Sequence, residues 1–200
     1  MEWARKLLIM AENGLHFSQD PFDQGRYQEL QGIAQQMMAS LGKGTPTQVE
    51  TFFRGDGGYP TPKLGVRAAV FREDKILLVR ETSDGLWTLP GGWCDVGDSP
   101  RQATERELWE ETGFRGVAEK LLAVFDQRLH PHPPYPFHVI KMFFRCRITG
   151  GEATPSHETS EIEFFGLDEL PELSPLRVVR NQLETVFAHR TDPDRPTDFD

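Results

Sequence analysis

The chain has 200 residues, which gives room for one ordinary domain plus a smaller appendage. Its apolar residues, among them 14 Phe, are enough to form a core. The formal net charge of −9 and the sequence pI of about 5.2 argue against broad binding of nucleic acids or of anionic membranes, which depends on clustered Lys and Arg.

The first 41 residues predict two short amphipathic helices. Apolar residues recur at helical spacing from Trp3 to Ala11. Asp20 is placed to cap a second helix, whose apolar pattern continues to Leu41. Two short helices cannot bury both apolar stripes by themselves. We therefore expect residues 1–45 to pack on the main domain or on another subunit.

The pattern then changes to strands. Residues 46–62, rich in Gly, Pro and Thr, predict a linker. Residues 65–72 and 75–81 are typical of two strands joined by a tight turn. A helix is predicted from 100 to 112, because a proline occupies its first position and Gly113 follows as a stop signal.

The second half of the chain predicts more strands and a last helix. Residues 118–128 and 138–148 are typical of long strands, separated by a proline-rich stretch that cannot pair. A short strand at 162–165 precedes a predicted helix at 175–189. The polar, proline-containing residues 191–200 are expected to form a flexible tail. This order favours an α/β domain with a mixed sheet between helices.

One run carries an unusual density of acidic side chains. Glu107, Glu110 and Glu111 share one face of the predicted helix, with Asp98 and Arg106 nearby. Carboxylates crowded on one face repel each other unless a cation lies between them. An oxygen-liganded divalent cation such as Mg²⁺ or Mn²⁺ fits such a group better than Zn²⁺ does.

The run reads G-x5-D-x7-R-E-L-x-E-E-x-G-F from Gly92 to Phe114. It resembles the Nudix box, G-x5-E-x7-R-E-U-x-E-E-x-G-U, where U is a bulky apolar residue. Asp98 stands where the family usually has Glu, and the other fixed positions match. The resemblance implies a Nudix α/β/α sandwich over residues 63–190 and the hydrolysis of a phosphoanhydride bond.

The resemblance also implies roles for the box residues. Glu107 and Glu111 are expected to be the main metal ligands, and Glu110 shares the site directly or through water. Arg106 is expected to orient the carboxylates. Asp98, one methylene shorter than the usual Glu, is expected to reach the metal through water or to weaken its binding. The resemblance also implies that the backbone carbonyl of Gly91, just before the box, contributes to the metal shell, as it often does in relatives.

Five further residues are candidates for contacting the substrate. Three of them have a structural alternative: packing for the two tryptophans, and a surface ion pair for Arg80. The candidates are Arg67, Arg80, Arg128, Trp87 and Trp93.

The resemblance also implies a general base outside the box, on a loop beyond it, and here the acidic residues after the second long strand are the candidates. Glu158 and Glu161 are the candidates, and Glu111 acting with a metal-bound water is the alternative. A base must lie within hydrogen-bond reach of the attacking water, which spacing in a sequence does not determine.

The N-terminal stretch adds a second resemblance. Its pattern W-x3-L-x3-A-x2-G-L-x-F, followed by D-P-F-D-x3-Y, is similar to the helical extension of Nudix hydrolases that act on X-linked nucleoside diphosphates. This implies ADP-ribose or CDP-choline as leading substrates and a homodimer in which the extension helps to form the interface. Weaker alternatives are RNA ends, nucleoside triphosphates, or a non-catalytic nucleotide-sugar sensor on the same scaffold.

The two cysteines, Cys94 and Cys146, lie in no metal-binding or redox pattern. Two reduced thiols, no secretory signal and no segment long enough to span a bilayer predict a cytoplasmic protein.

Overall fold

The computed structural model describes residues 2–41 and 60–200. The chain divides into two compact units, Met1–Pro62 and Lys63–Asp200. Most of the predicted linker at 46–62, and the end of the predicted extension at 42–45, lie outside the described residues.

The N-terminal unit contains the two expected helices, α1 (Glu2–Phe17) and α2 (Pro21–Leu41). Asp20 caps α2, because its Oδ1 accepts hydrogen bonds from the backbone N–H groups of Phe22 at 2.9 Å and Asp23 at 3.0 Å. The buried cluster of this unit is small and is formed by Ala4, Leu8, Ala34 and Met38. Several large apolar side chains on both helices remain exposed, namely Trp3, Met10, Phe17, Phe22, Ile33 and Leu41.

The second unit is built on a mixed sheet, as predicted. Its strands are β1 (Lys63–Arg72), β2 (Lys75–Glu81), β3 (Trp87–Thr88), β4 (Phe114–Asp126), β5 (Val139–Gly151), β6 (Thr159–Phe165) and β7 (Asp198–Phe199). The strand order is β3-β2-β1-β5-β4-β7, with β6 paired to β2. Strand β1 is parallel to β5 and antiparallel to β2, while β4 is antiparallel to β5.

Helices cover both faces of this sheet, α3 (Pro100–Thr112) on one and α4 (Arg180–Thr191) on the other. Neighbouring residues of β1 point to opposite faces, so Ala68 packs in the cluster that contains Leu108 of α3 and Ala69 in the cluster that contains Leu183 of α4. Burial on both faces explains why the inner strands are almost continuously apolar. The arrangement is the expected α/β/α sandwich.

Helix α3 has the expected end signals. Ser99 and Gln102 form a reciprocal capping box, and Pro100 occupies the first turn. Gly113 ends the helix in the left-handed conformation with φ of 73°, and a Cβ there would lie 2.5 Å from the carbonyl oxygen of Glu152. Strand β4 begins at the next residue, four residues before the predicted start, because this tight glycine turn needs no further loop.

The end of the chain differs from the sequence-based expectation. Helix α4 starts at Arg180, not at 175, since the preceding residues bond to the sheet in extended and turn conformations. The last residues were predicted to be a flexible tail, but β7 pairs in parallel with β4. Asp198 of β7 accepts two hydrogen bonds of 2.8 Å from Arg195 in the same tail. It also contacts His189 of α4 at 2.8 Å, which ties the tail to that helix.

Candidate active site

The glycine loop before α3 runs beside β1. The backbone N–H of Val66 donates to the carbonyl of Gly92 at 2.9 Å, and that of Ala68 to Pro90 at 2.7 Å. Gly91 has φ of 145°, and a Cβ on it would lie 2.1 Å from a β1 carbonyl oxygen. Only glycine fits at this position, because any side chain would clash with β1. The missing side chain allows the loop to pass closely between β1 and the acidic face of α3.

Two glutamates of α3 face this loop. The carboxylate of Glu111 accepts a hydrogen bond from the N–H of Gly91 at 2.8 Å. Glu107 lies so close to Gly92 that a Cβ there would be 2.7 Å from Glu107 Oε1. Burial raises the pKa of Glu107, and raises the pKa of Glu111 to about 8. The protein alone therefore compensates these carboxylates poorly.

Arg106 gathers the acidic residues of the box. Its Nη1 donates to Glu107 and Glu110, both at 2.9 Å, and its Nε donates to Asp98 at 3.2 Å. Asp95 makes a further ion pair at 3.3 Å. Arg106 thus contacts four carboxylates, and the short Asp98 side chain reaches it.

Arg67 connects the same loop to β1. Its guanidinium donates to the carbonyl of Gly91, and burial lowers the pKa of Arg67 although Glu111 and Glu81 act in the opposite direction. Glu81, at the end of β2, is also buried and pairs with Arg177 at 2.8 Å. A chain of alternating charges thus extends from Glu111 to Arg177.

Two cavities meet at the box carboxylates. The first, here named the Arg67 cavity, has a volume of about 450 Å³, and the second, the Trp109 cavity, about 740 Å³. Their linings share Glu107, Glu111 and Glu158 and no other residue. A ligand centred on these three acidic residues has room on either side.

The substrate candidates divide into two groups. Arg67 and Trp93 line the Arg67 cavity. Arg80, Arg128 and Trp87 line neither cavity. Arg80 donates to Gly85 and pairs with Glu161, Arg128 pairs with Asp126, and Trp87 packs against Phe165 at a ring-centroid distance of 4.9 Å.

The two candidate bases are separated in the same way. Glu158 lines both cavities, and its carboxylate is close to the exposed His157 at 3.3 Å. Glu161, on β6, instead pairs with Arg80 of β2 at 2.6 Å and lines neither cavity. Glu158 is therefore the one of the pair that faces the box carboxylates.

Sequence reasoning missed several polar residues of the Arg67 cavity. Lys141 on β5 is buried, and its Nζ donates to the carbonyls of Leu176 at 2.9 Å and Arg177 at 2.7 Å. Burial lowers the pKa of Lys141 to about 6. The available signal was a lysine inside the apolar strand, where a charged side chain needs buried partners. Gln127 and Tyr135 also line this cavity.

Comparison with known protein families identifies the family of this chain. The model of the NUDIX domain matches residues 61–186. The chain belongs to the Nudix family. A second model, described as a UDP-X-like, N-terminal oligomerisation domain, matches residues 1–53. The recognition made from the box and from the helical extension is therefore confirmed, and the protein is a Nudix hydrolase.

Two relatives of this Nudix hydrolase carry names that refer to ADP-ribose pyrophosphatases. YjhB of Bacillus subtilis, provisionally named an ADP-ribose pyrophosphatase, is 43% identical over all 200 residues, which span 96% of that protein. A Methanocaldococcus jannaschii protein named ADP-ribose pyrophosphatase is 33% identical over 119 residues, covering 58% of this chain and 69% of the relative.

Solved structures agree with the fold. A crystal structure described as a UDP-X diphosphatase has a TM-score of 0.67 at 31% identity and covers 100% of this chain and 97% of its own. One described as an ADP-ribose pyrophosphatase from Streptococcus suis has a TM-score of 0.65 at 43% identity, covering 70% of this chain and 100% of its own. Among residues 2–41 and 60–200, the Nudix hydrolase contains no helix with the length and apolarity needed to cross a membrane.

Proposed function

We propose that this Nudix hydrolase cleaves the phosphoanhydride of a nucleoside diphosphate linked to X, giving a nucleoside monophosphate and phospho-X, with ADP-ribose as the leading substrate. The observation that carries the proposal is the pair of cavities joined at Glu107, Glu111 and Glu158. A substrate with a central pyrophosphate and a bulky group at each end matches this shape. The full-length similarity to YjhB supports ADP-ribose as the first choice.

The box residues fit a divalent metal ion such as Mg²⁺ or Mn²⁺. The donors are oxygens, two of the carboxylates are poorly compensated, and the glycines at 91 and 92 leave no side chain between β1 and the glutamates. Glu107 and Glu111 would hold the ion, with Glu110 and the carbonyl of Gly91 contributing. Bound there, a metal would neutralise the pyrophosphate and acidify a water.

Arg106 controls how the carboxylates are presented. Among the described residues, no three His, Cys, Asp or Glu side chains converge in an arrangement that could hold a metal ion. Arg106 and the Gly91 N–H engage the oxygens of Glu107, Glu110 and Glu111 instead. In our proposal Arg106 holds these carboxylates close together in the absence of metal. When a divalent metal ion binds, carboxylate oxygens would exchange their hydrogen bonds to Arg106 for coordination to the metal.

We assign the general base to Glu158 and keep Glu111 as the competing assignment. Glu158 is solvent-exposed and lines both cavities together with Glu107 and Glu111, which supports a position beside the attacking water. It would accept the proton that the attacking water loses. Glu161 is held by Arg80 and is removed from this proposal.

The N-terminal unit is proposed to form a homodimer. Trp3 and Phe22, one on each helix, are both 78% exposed. Large apolar side chains left in water mark a surface that another protein chain can cover. The description of the matching family as an oligomerisation domain supports the same role. Cytoplasmic action is proposed because Cys94 and Cys146 are both free thiols.

A substrate panel tests the proposal. Product release would be measured with ADP-ribose, CDP-choline, UDP-sugars, nucleoside triphosphates and capped RNA, each with Mg²⁺ and with Mn²⁺. Metal-dependent release of AMP from ADP-ribose is the expected result. Preferred cleavage of triphosphates or RNA ends would contradict it. Tight binding of one compound without cleavage would favour a sensor.

A further inference from the structure

Three basic side chains line the Arg67 cavity: Arg67, Lys141 and Arg177. Arg67 and Lys141 are buried, and backbone carbonyls hold them in place. The side chain of Arg177 is 28% exposed. Of these three side chains, Arg177 is therefore the most accessible to a molecule in the cavity.

The guanidinium of Arg177 is fixed from several sides but is not saturated. Its Nε contacts Glu81 at 2.8 Å, its Nη1 contacts Asp84 at 3.3 Å and Ser174 at 3.2 Å, and its Nη2 contacts Ser83 at 3.1 Å. A guanidinium has five N–H donors. Among residues 2–41 and 60–200, these four contacts leave one Nη2 donor for a ligand.

The segment that carries Arg177, residues 172–178, is tied to the sheet independently of that side chain. Its backbone exchanges hydrogen bonds of 3.0 and 2.8 Å with Trp87. His132 Nδ1 lies 2.6 Å from the carbonyl of Pro175, and Lys141 bonds the next two carbonyls. Arg177 is therefore positioned before any ligand arrives, which reduces the entropy lost on binding.

We propose that Arg177 binds a phosphate oxygen of the substrate, in the half that occupies the Arg67 cavity. This inference rests on the proposed function, because the ligand class is the pyrophosphate of a nucleoside diphosphate linked to X. The Glu107 and Glu111 carboxylates face the same cavity. A phosphate between them and Arg177 would meet the metal on one side and a guanidinium on the other, and guanidinium is the side chain best suited to phosphate geometry.

The residues around Arg177 act as positioning residues in this proposal. Glu81 is buried, lines the cavity and pairs with Nε of Arg177 at 2.8 Å, so it holds the guanidinium in place. Lys141 fixes the backbone at the carbonyl of Arg177 itself. Glu81 and Lys141 thus hold Arg177 from its side chain and from its backbone.

Arg177→Gln tests the proposal in the otherwise unchanged enzyme. The KM for ADP-ribose and the inhibition constant of inorganic pyrophosphate should each rise by about 10- to 100-fold, the loss of one charge-assisted hydrogen bond. The kcat should change much less. Arg180→Gln is the matched control, because Arg180 is exposed, pairs with Glu184 at 3.0 Å and lines neither cavity.

A second variant guards against misfolding. Arg177→Gln leaves the buried Glu81 without its ion-pair partner, so Glu81→Gln/Arg177→Gln, which removes both charges, is measured beside it. Folded variants that keep KM and the pyrophosphate inhibition constant within twofold of the parent would overturn the inference.

The two proposals fail in different ways. If the parent cleaves no member of the substrate panel, the proposed function fails, and pyrophosphate binding by calorimetry then decides on Arg177 alone. Equal affinity of the parent and Arg177→Gln, or no binding by either, would reject the phosphate contact. Weaker binding by the variant alone would support it.

Discussion

At the scale of single residues, the box is a balance between burial and charge. Glu111 is buried against Gly91, and Glu107 is buried against Gly92, because those glycines leave room for them. Arg106 offsets part of the negative charge from the solvent side. Substitutions here should therefore affect chemistry more than folding.

Glu111→Gln should lower kcat by more than about 100-fold, since even residues that only support metal ligands cost about 10- to 100-fold. The amide oxygen can still accept the Gly91 N–H, so thermal unfolding should stay at the parental temperature. Turnover and a melting curve measured together check this. Glu184→Gln, at an exposed position of α4, serves as the control. Parental turnover in Glu111→Gln would reject the metal assignment.

Asp98→Glu should change metal dependence more than substrate preference. Asp98 contacts Arg106 at 3.2 Å, and one more methylene would bring its carboxylate closer to the proposed metal ligands. The measurement is activity against Mg²⁺ and Mn²⁺ concentration for two substrates. A changed substrate ranking with unchanged metal activation would contradict the expectation.

His132 should make the fold sensitive to mild acid. Burial lowers its pKa to about 4, and the nearby Lys141 acts in the same direction. Below pH about 6.5 the unfolded chain binds a proton that the folded protein does not bind until pH about 4. Stability is therefore lost as pH falls through this window, by at most about 1.4 kcal/mol per pH unit. His132→Gln should flatten urea-unfolding free energies between these limits, and an unchanged slope would show that His132 does not titrate as inferred.

At the scale of elements, α3 is the part that sequence reasoning predicted best. Its cap, its proline, its glycine stop and its acidic face are all local signals, and each appears in the structure. The roles of the basic residues Lys141 and Arg177 were not predictable in the same way. Their roles depend on β5 and the 172–178 segment meeting across 35 residues or more of sequence, which no local pattern encodes.

Ser99→Ala should destabilise the Nudix domain through α3. The substitution removes the side-chain acceptor of the Gln102 N–H and half of the capping box. The expected loss is about 1 kcal/mol of unfolding free energy. Urea denaturation followed by circular dichroism measures it, and Ser99→Asp, which can cap equally well, should recover the stability. An Ala variant as stable as the parent would mean that the cap is not needed.

At the scale of the whole molecule, family and sheet type followed from the sequence because the box and the strand pattern are dense signals. The sequence did not predict which candidate residues line the two cavities. Arg80 and Arg128 were reasonable candidates by position, but ion pairs with Glu161 and Asp126 engage them outside both cavities. Which arginine faces a cavity depends on three-dimensional packing.

The proposed homodimer is tested at the same scale. Trp3→Asp/Phe22→Asp should convert the protein to a monomer, because each substitution places a charge on an exposed apolar position of the N-terminal unit. Light scattering after size-exclusion chromatography measures the mass. Phe199→Asp is the control, since Phe199 is equally exposed but lies on β7. Unchanged mass in the double variant, or a monomeric parent, would reject the interface.

The two cavities that meet at Glu107, Glu111 and Glu158 have a kinetic consequence. A substrate lying across both would, once cut, leave its halves on opposite sides of the carboxylates. Neither fragment would then obstruct the exit of the other, so departure would follow no obligatory order. Each fragment would instead compete with fresh substrate from its own side.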